Sequence, residues 1–238
     1  MNKQLLLGEV TIDVVFKDIK NLHLSVHPPD GKVRISAPSR MSIDTVRSFA
    51  LTKLSWIRKH QQRFKEQARQ TPREYLDRES HYFFGKRYLL KVIENQRAGD
   101  VRITGSSIEL HIREGTSLSK RAELMNEWYR KELKKVLPEV VNKWEKQIGV
   151  SASSWAIKSM KTRWGTCNRR VGRIWINLEL AKKPPICLEY VVVHELVHLL
   201  EGHHNDRFKK YMDEFMPRWR MYKEQLNRFP ISHGEWKY

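Results

Sequence analysis

Residues Pro184–Phe208 read PPICLEYVVVHELVHLLEGHHNDRF, and this segment carries the strongest structural signal in the chain. Pro185 suits the first position of a helix, and Gly202 suits a left-handed cap at its end. The predicted helix therefore has about four turns. Because its residues are mostly apolar, we expect it to be buried on nearly all sides. The apolar residues are Val191, Val192, Val193, Leu196, Val197, Leu199 and Leu200.

The polar residues inside this helix form an H-E-x-x-H motif, His194, Glu195 and His198. The two histidines are one turn apart and project from the same face, so their imidazoles can bind one metal ion. A single buried histidine is more often a hydrogen-bonded core residue. Two histidines at this spacing, with a carboxylate between them, favour a metal site instead.

The third ligand of such a site has several candidates. A catalytic zinc ion takes three protein ligands and keeps one position open for water. His203 and His204 follow the turn directly, and Glu201 lies in the last turn of the helix. Asp213 or Glu214, on the next helix, would fit zincins whose third ligand is a distant carboxylate. Spacing alone does not choose among these residues.

Further motifs surround the predicted metal helix. They are RWGTC at 163–167, INLEL at 176–180, the double proline at 184–185, YVVVHELVHLL at 190–200 and HHNDRF at 203–208. Together, residues 155–219 resemble the YgjP-type (WLM-like) metal-dependent hydrolases, which are zincin metallopeptidases. The resemblance implies that His204 is the third ligand. Thr166, His203 and Asn205 depart from the family pattern, and none of them is a proposed ligand.

The function that this resemblance implies is a zinc-dependent metallopeptidase. His194, His198 and His204 would hold Zn²⁺, and Glu195 would be the general base that activates water to hydrolyse an amide bond of a peptide or protein.

The RWGTC motif is expected to form one wall of the cleft. Arg163, Trp164 and Gly165 are therefore candidate substrate contacts, since Gly165 permits close backbone approach. Arg163 or His203 is a candidate for stabilising the oxyanion. Cys167 is disfavoured as a nucleophile or ligand, because three better ligands exist.

The charge of the chain leaves two other functions open. Its 238 residues carry a formal net charge of +18, from 45 Lys and Arg against 27 Asp and Glu. Such a surplus favours polyanionic partners, although it also serves solubility alone. The first alternative is a metal-dependent phosphohydrolase acting on nucleotides. The second is a DNA-associated protein recruited by its basic surface, for which the sequence offers no zinc ribbon or other nucleic-acid-binding motif.

The cysteine content and hydropathy favour a cytoplasmic protein. Cys167 and Cys187 are too few for a disulfide framework and form no C-x-x-C pair. The first 16 residues have a short leucine run and then a strand pattern, so no signal peptide is expected. No apolar run is long enough to cross a bilayer, and no membrane partner is expected.

The predicted fold class is α+β. Residues 1–117 are expected to form a β-rich domain with one inserted helix, and residues 118–238 a mostly helical zincin-like catalytic domain with a small β-sheet. Besides the metal helix, the predicted helices cover 42–65, 119–148, 206–215 and 218–228. Ser42 is expected to cap the first of these, Gly149 to end the second, and Pro138 to kink or divide the second. The predicted strands cover 9–16, hairpins at 22–37, 82–93 and 101–112, and a pair at 155–160 and 173–178 joined by a turn that contains Gly172.

Overall fold

The computed structural model describes residues 2–27, 31–66, 73–95, 99–160 and 163–228. Within these ranges the chain has six α-helices and three small sheets, with a β-rich N-terminal part and a helical C-terminal region. The predicted α+β class is confirmed. The chain divides into two compact units, Met1–Ala68 and Arg69–Tyr238.

The first unit is a four-stranded sheet followed by two helices. Its elements are β1 (Asn2–Leu7), β2 (Val10–Lys17), β3 (His23–His27), β4 (Lys32–Pro38), α1 (Ile43–Thr52) and α2 (Leu54–Glu66). The strand order is β1-β2-β4-β3, with β2 and β4 parallel and both outer pairs antiparallel. The hairpin of β3 and β4 was predicted, and most of its turn, residues 28–30, lies outside the described residues.

The single helix predicted at 42–65 is in fact two helices. Ser42 caps α1 as expected, because its hydroxyl accepts a hydrogen bond from the backbone N–H of Thr45. The first helix ends at Lys53, whose N–H returns to the carbonyl of Ala50 at 3.1 Å. This hydrogen bond spans three residues instead of four and interrupts the α-helical pattern. No proline or glycine in the sequence indicates the break.

The second unit begins with a sheet of the same strand order and directions. It comprises β5 (Ser80–Phe83), β6 (Lys86–Glu94), β7 (Asp100–Thr104) and β8 (Ser107–Ile112), in the order β5-β6-β8-β7. The hairpin of β5 and β6 turns at Phe84 and Gly85, both with positive φ, one residue earlier than predicted. The turn at Gly105 and Ser106 is where the sequence predicted it.

This second sheet shares its core with α3 (Leu118–Ile148). Leu90 and Ile108 from the sheet belong to the same buried cluster as Met125 and Leu133 from the helix. The hydroxyl of Tyr129 also donates a 2.9 Å hydrogen bond to the carbonyl of Tyr82. The second sheet and α3 therefore belong to one compact unit, and the boundary between the two units is between Ala68 and Arg69. The domain boundary expected after residue 117 stays a prediction.

The long helix α3 supports the metal helix, α4 (Pro185–Leu200). α3 is one helix of 31 residues, so Pro138 does not divide it. The helix ends at Gly149, which has the left-handed conformation that was predicted. The carboxylate of Glu189 accepts from Lys143 Nζ at 2.8 Å and from Trp144 Nε1 at 3.0 Å. These bonds fasten α4 to α3, and α4 is buried along most of its length.

A three-stranded sheet lies against α4. It consists of β9 (Ser154–Lys158), β10 (Gly165–Asn168) and β11 (Arg173–Asn177), in the order β10-β11-β9. The turn at Gly172, with φ of 62°, joins β10 to β11. The prediction that this turn joins β9 to β11 was wrong, because those two strands are parallel and need a longer connection.

The remaining elements complete the second unit. They are a 3-10 helix at Leu178–Lys182, α5 (Asp206–Phe215) and α6 (Trp219–Arg228). Both α5 and α6 contact α4. Among the described helices, none is both long and apolar enough to cross a membrane.

Candidate metal centre

Three histidine side chains converge at the C-terminal end of α4. His194 and His198 project from the helix, and His204 reaches back from the turn that follows it. One ligand nitrogen from each ring lies within 4.8 Å of the others, and the Nε2 atoms of His194 and His204 are 3.0 Å apart. Two nitrogens on one tetrahedral zinc ion are about 3.3 Å apart. The cluster therefore has the dimensions of a single metal site.

The turn after α4 sets the position of His204. Glu201 is extended, and its N–H still bonds to the Val197 carbonyl at 2.9 Å. The predicted left-handed cap at Gly202 was wrong, since Gly202 does not have a positive φ. An added Cβ at Gly202 would lie 2.5 Å from Nη1 of Arg169, so the end of that side chain would have to move.

Phe208 forms the floor of the cluster. Its buried ring has its centroid 4.9 Å from that of His194 and 4.8 Å from those of His198 and His204. The backbone N–H of Phe208 donates to the side chain of Asn205, which caps α5. α5 therefore fixes the far side of the histidine cluster.

The protonation of the rings suits metal binding. Nδ1 of His198 lies 3.1 Å from the Glu201 carbonyl, which only accepts, so Nδ1 carries the proton and Nε2 faces the cluster. Burial lowers the pKa of His194 to about 3, with His198 and His204 adding to the effect. Burial is also the main cause that lowers the pKa of His198 and of His204. Neutral imidazole is the form that binds metals.

Glu195 is a buried carboxyl group without a partner. Its side chain is 4% exposed, and Oε2 has no hydrogen bond within the described part of the chain. Burial raises the pKa of Glu195 to about 8, against the opposing charge of Arg163. An unpaired buried acid reduces stability, which is common at sites that perform chemistry.

A cleft of about 510 Å³ opens over the cluster. Arg163, Trp164 and Gly165 line the cleft together with Glu195, and their role as substrate contacts stays a prediction. His203 does not line the cleft; it is exposed, and its N–H donates to the Glu201 carboxylate at 3.1 Å.

The carboxylate alternatives for the third ligand lie outside the histidine group. Glu201 accepts from the backbone of His203. Asp213 is paired with Arg220 and accepts from Trp219 Nε1 at 2.7 Å. Glu214 is exposed on α5.

Tyr190 and Arg169 also line the cleft, and neither was predicted to be part of the site. Tyr190 is four residues before His194, so helical spacing alone could have placed it on the same face. The hydroxyl of Tyr190 makes no hydrogen bond with a described residue. Burial raises the pKa of Tyr190, and the charge of Glu195 adds to this effect, so the hydroxyl keeps its proton and can donate a hydrogen bond. Arg169 follows the edge strand, and no sequence signal indicated it.

Asn177 holds the wall that carries Arg163. The side chain is 2% exposed, and Nδ2 donates to the carbonyls of Met160 at 2.8 Å and Arg163 at 2.7 Å. Its Oδ1 accepts from the backbone N–H of Glu179 at 3.2 Å. One buried amide therefore fixes the chain where it enters β10.

Comparison with known families identifies the chain. A family model described as YgjP-like, metallopeptidase domain, matches residues 20–229. The chain belongs to this family. No curated protein matches the sequence. The membership confirms the predicted enzyme class, a metal-dependent peptidase. The family implies a divalent metal, and the chain contains a group of three histidines that could hold one.

Solved metallopeptidase zymogens show a limited structural likeness to this YgjP-like chain. Pyrococcus abyssi abylysin is 16% identical, with a TM-score of 0.35 over 37% of this chain and 90% of that one. Methanocaldococcus jannaschii jannalysin is 17% identical, with a TM-score of 0.34 over 37% of this chain and 91% of that one.

Gly165→Ala should impair activity while the metal is retained. A Cβ at Gly165 would lie 2.6 Å from Glu195 Oε1 and 2.8 Å from Val191 Cγ1, so the carboxyl group or the strand must move. We expect kcat/KM to fall by about 100-fold and stability by about 1–3 kcal/mol, measured on protein of verified metal content.

Gly105→Ala is the matched control for that variant. Gly105 has a positive φ, but no atom lies within 4 Å of a new Cβ. It should lose about 1 kcal/mol of stability through backbone strain and keep full activity. Equal activity of the two variants would show that the close contact at Gly165 does not matter.

Proposed function

We propose that this YgjP-like protein is a zinc peptidase in which His194, His198 and His204 hold the metal and Glu195 is the general base. The observation that carries the proposal is the convergence of three neutral imidazoles beside a buried, unpaired carboxyl group. Three imidazole ligands suit zinc, whereas magnesium and calcium prefer oxygen ligands.

The residues that line the cleft would have separate roles in peptide hydrolysis. A zinc ion, when bound, polarises the scissile carbonyl and lowers the pKa of water. The positive charge of a bound metal would favour the ionised form of Glu195, which would accept the proton of the attacking water and pass it to the leaving amine. The Tyr190 hydroxyl and Arg163, which both line the cleft, are available to donate hydrogen bonds to substrate oxygens.

The edge of β10 supports a peptide as the substrate. The carbonyl of Trp164, just before β10, accepts a 2.9 Å hydrogen bond from the N–H of Asn177 in β11. Trp164 and Asn177 are therefore a hydrogen-bonded pair of the ladder. Such pairs alternate along an antiparallel ladder, so the backbone groups of Gly165 and Cys167 face away from β11. An extended peptide can add to this edge as a further strand, beside Glu195.

A cytoplasmic location is part of the same proposal. Cys187 is buried, Cys167 is half-buried, and both are free thiols. Burial raises the pKa of each to about 11, so both thiols are protonated at neutral pH. Unpaired, unreactive thiols are consistent with a reducing compartment.

The test is peptide hydrolysis with and without metal. The purified protein should contain about one zinc per chain, and it should cleave members of a quenched fluorescent peptide library. A chelator should abolish cleavage, and added zinc should restore it. A panel of nucleoside triphosphates, assayed in parallel, covers the phosphohydrolase alternative. Chelator-sensitive release of phosphate without cleavage of any peptide would overturn the proposal.

A further inference from the structure

Two arginines lie at opposite ends of the strand that borders the cleft. Arg163 precedes β10 by two residues and Arg169 directly follows it, and both line the cleft. A strand rises about 3.3 Å per residue, so a substrate lying along β10 would meet one guanidinium near each end.

Neither arginine forms an ion pair within the described part of the chain. Within the described residues, no carboxylate forms an ion pair within 4.0 Å of Arg163 or Arg169, whereas Arg73, Arg102 and Arg220 each have such a pair. Arg169 uses Nη2 for the carbonyls of Leu199 at 3.5 Å and Leu200 at 3.3 Å. Its remaining N–H groups make no hydrogen bond with the described chain.

The other charges around the cluster keep the surroundings positive. Lys223, on α6, interacts electrostatically with His194 and His204. Among the described residues, the carboxyl groups near the histidine cluster are those of Glu195, which is buried, and Glu201. Glu201 is bonded to the His203 N–H and also interacts with Arg169 and with Arg207 on α5. Four cationic side chains therefore lie near two carboxyl groups, and a divalent metal with neutral ligands would add further positive charge.

We propose that the cleft selects acidic peptides, with Arg163 and Arg169 binding substrate carboxylates on the two sides of the scissile bond. This inference rests on the proposed peptidase function and names its substrate class. Arginine binds carboxylates through two parallel N–H···O bonds, which an uncharged glutamine cannot match in strength. We expect about tenfold higher kcat/KM for glutamate than for glutamine beside the scissile bond, and the preference falls as salt rises.

The experiment compares peptide sets that share a cleavable core and differ only by Glu, Gln or Lys at one flanking position on either side. The variants are Arg163→Gln and Arg169→Gln, with Arg170→Gln as the matched control. Arg170 is exposed, is next to Arg169 and does not line the cleft. Arg163→Gln should abolish the preference for glutamate on one side, and Arg163→Glu should reverse it in favour of lysine.

Arg169→Gln should abolish the preference on the other side, and its zinc content shows whether the turn to His204 survives. Arg170→Gln should keep the wild-type preference. Equal cleavage of the Glu, Gln and Lys peptides by the wild-type protein overturns the inference and leaves the peptidase function intact. A glutamate preference that survives both Arg163→Gln and Arg169→Gln also overturns it.

A binding measurement separates the two proposals if no peptide is cleaved. Zinc-loaded Glu195→Gln protein is titrated into fluorescein-labelled Glu and Gln peptides, and fluorescence anisotropy gives each Kd. The Glu peptide should bind about tenfold more tightly than the Gln peptide, and the double variant Glu195→Gln/Arg163→Gln should lose this difference. That result supports the acidic selectivity even where the peptidase function fails. Equal Kd values, or competition by nucleoside triphosphates but not by acidic peptides, refute it.

Discussion

Glu195→Gln should retain zinc but lose about a thousandfold in kcat/KM, because the amide cannot accept the proton of the attacking water. Glutamine has nearly the same shape, so the three histidines should keep their positions. Oε2 of Glu195 has no hydrogen bond with a described residue, so the melting temperature should not fall. Metal analysis, peptide hydrolysis and thermal unfolding of one preparation give all three quantities.

Glu214→Gln is the control for this variant. Glu214 is exposed on α5 and outside the histidine group, so the same chemical change there should leave the rate within about twofold of wild type. If Glu195→Gln retained full activity, another group would have to be the base. If it lost its zinc, the carboxyl would have to support the metal rather than the proton transfer.

His204→Ala should remove the metal and the activity together. Two imidazoles would remain, and we expect zinc affinity to fall by at least about 100-fold, since even outer partners of zinc ligands are worth about 10- to 100-fold. Competition with a chromogenic chelator measures this affinity, and circular dichroism checks that the helices remain.

His203→Ala is the adjacent control, with the same loss of an imidazole. His203 is exposed and lies outside the histidine group, so its substitution should leave zinc affinity within a few-fold of wild type. The opposite pattern, with His203 essential and His204 dispensable, would assign the third ligand to the wrong neighbour.

The elements that could be predicted are those whose signals are local. The metal helix, the Ser42 cap and the Gly149 stop each depend on residues within one or two turns. The break at Lys53 carries no such signal, since good helix-forming residues surround it. The parallel pairing of β9 with β11 was also out of reach, because strand partners are chosen by tertiary contacts rather than by the turns between them.

The residues of the site also differ in whether local sequence signals or long-range contacts place them. His194, Glu195 and His198 occupy one turn and a third, so their spacing alone brings them together. The choice of His204 came from the family resemblance, and the structure places its ring beside His194. Arg169 lines the cleft because it directly follows β10, and Asn177 bonds through a buried amide to residues 14 and 17 positions earlier. Long-range contacts of this kind leave no periodicity in the sequence.

The floor formed by Phe208 has a consequence for folding. A ring that packs on all three imidazoles makes the docking of α5 and the occupancy of the metal site one linked equilibrium. Free zinc at 100 times its Kd would stabilise the docked helix by about 2.7 kcal/mol. Depletion of the ion should therefore loosen the C-terminal helices before the α3 core, and amide hydrogen exchange would record that order.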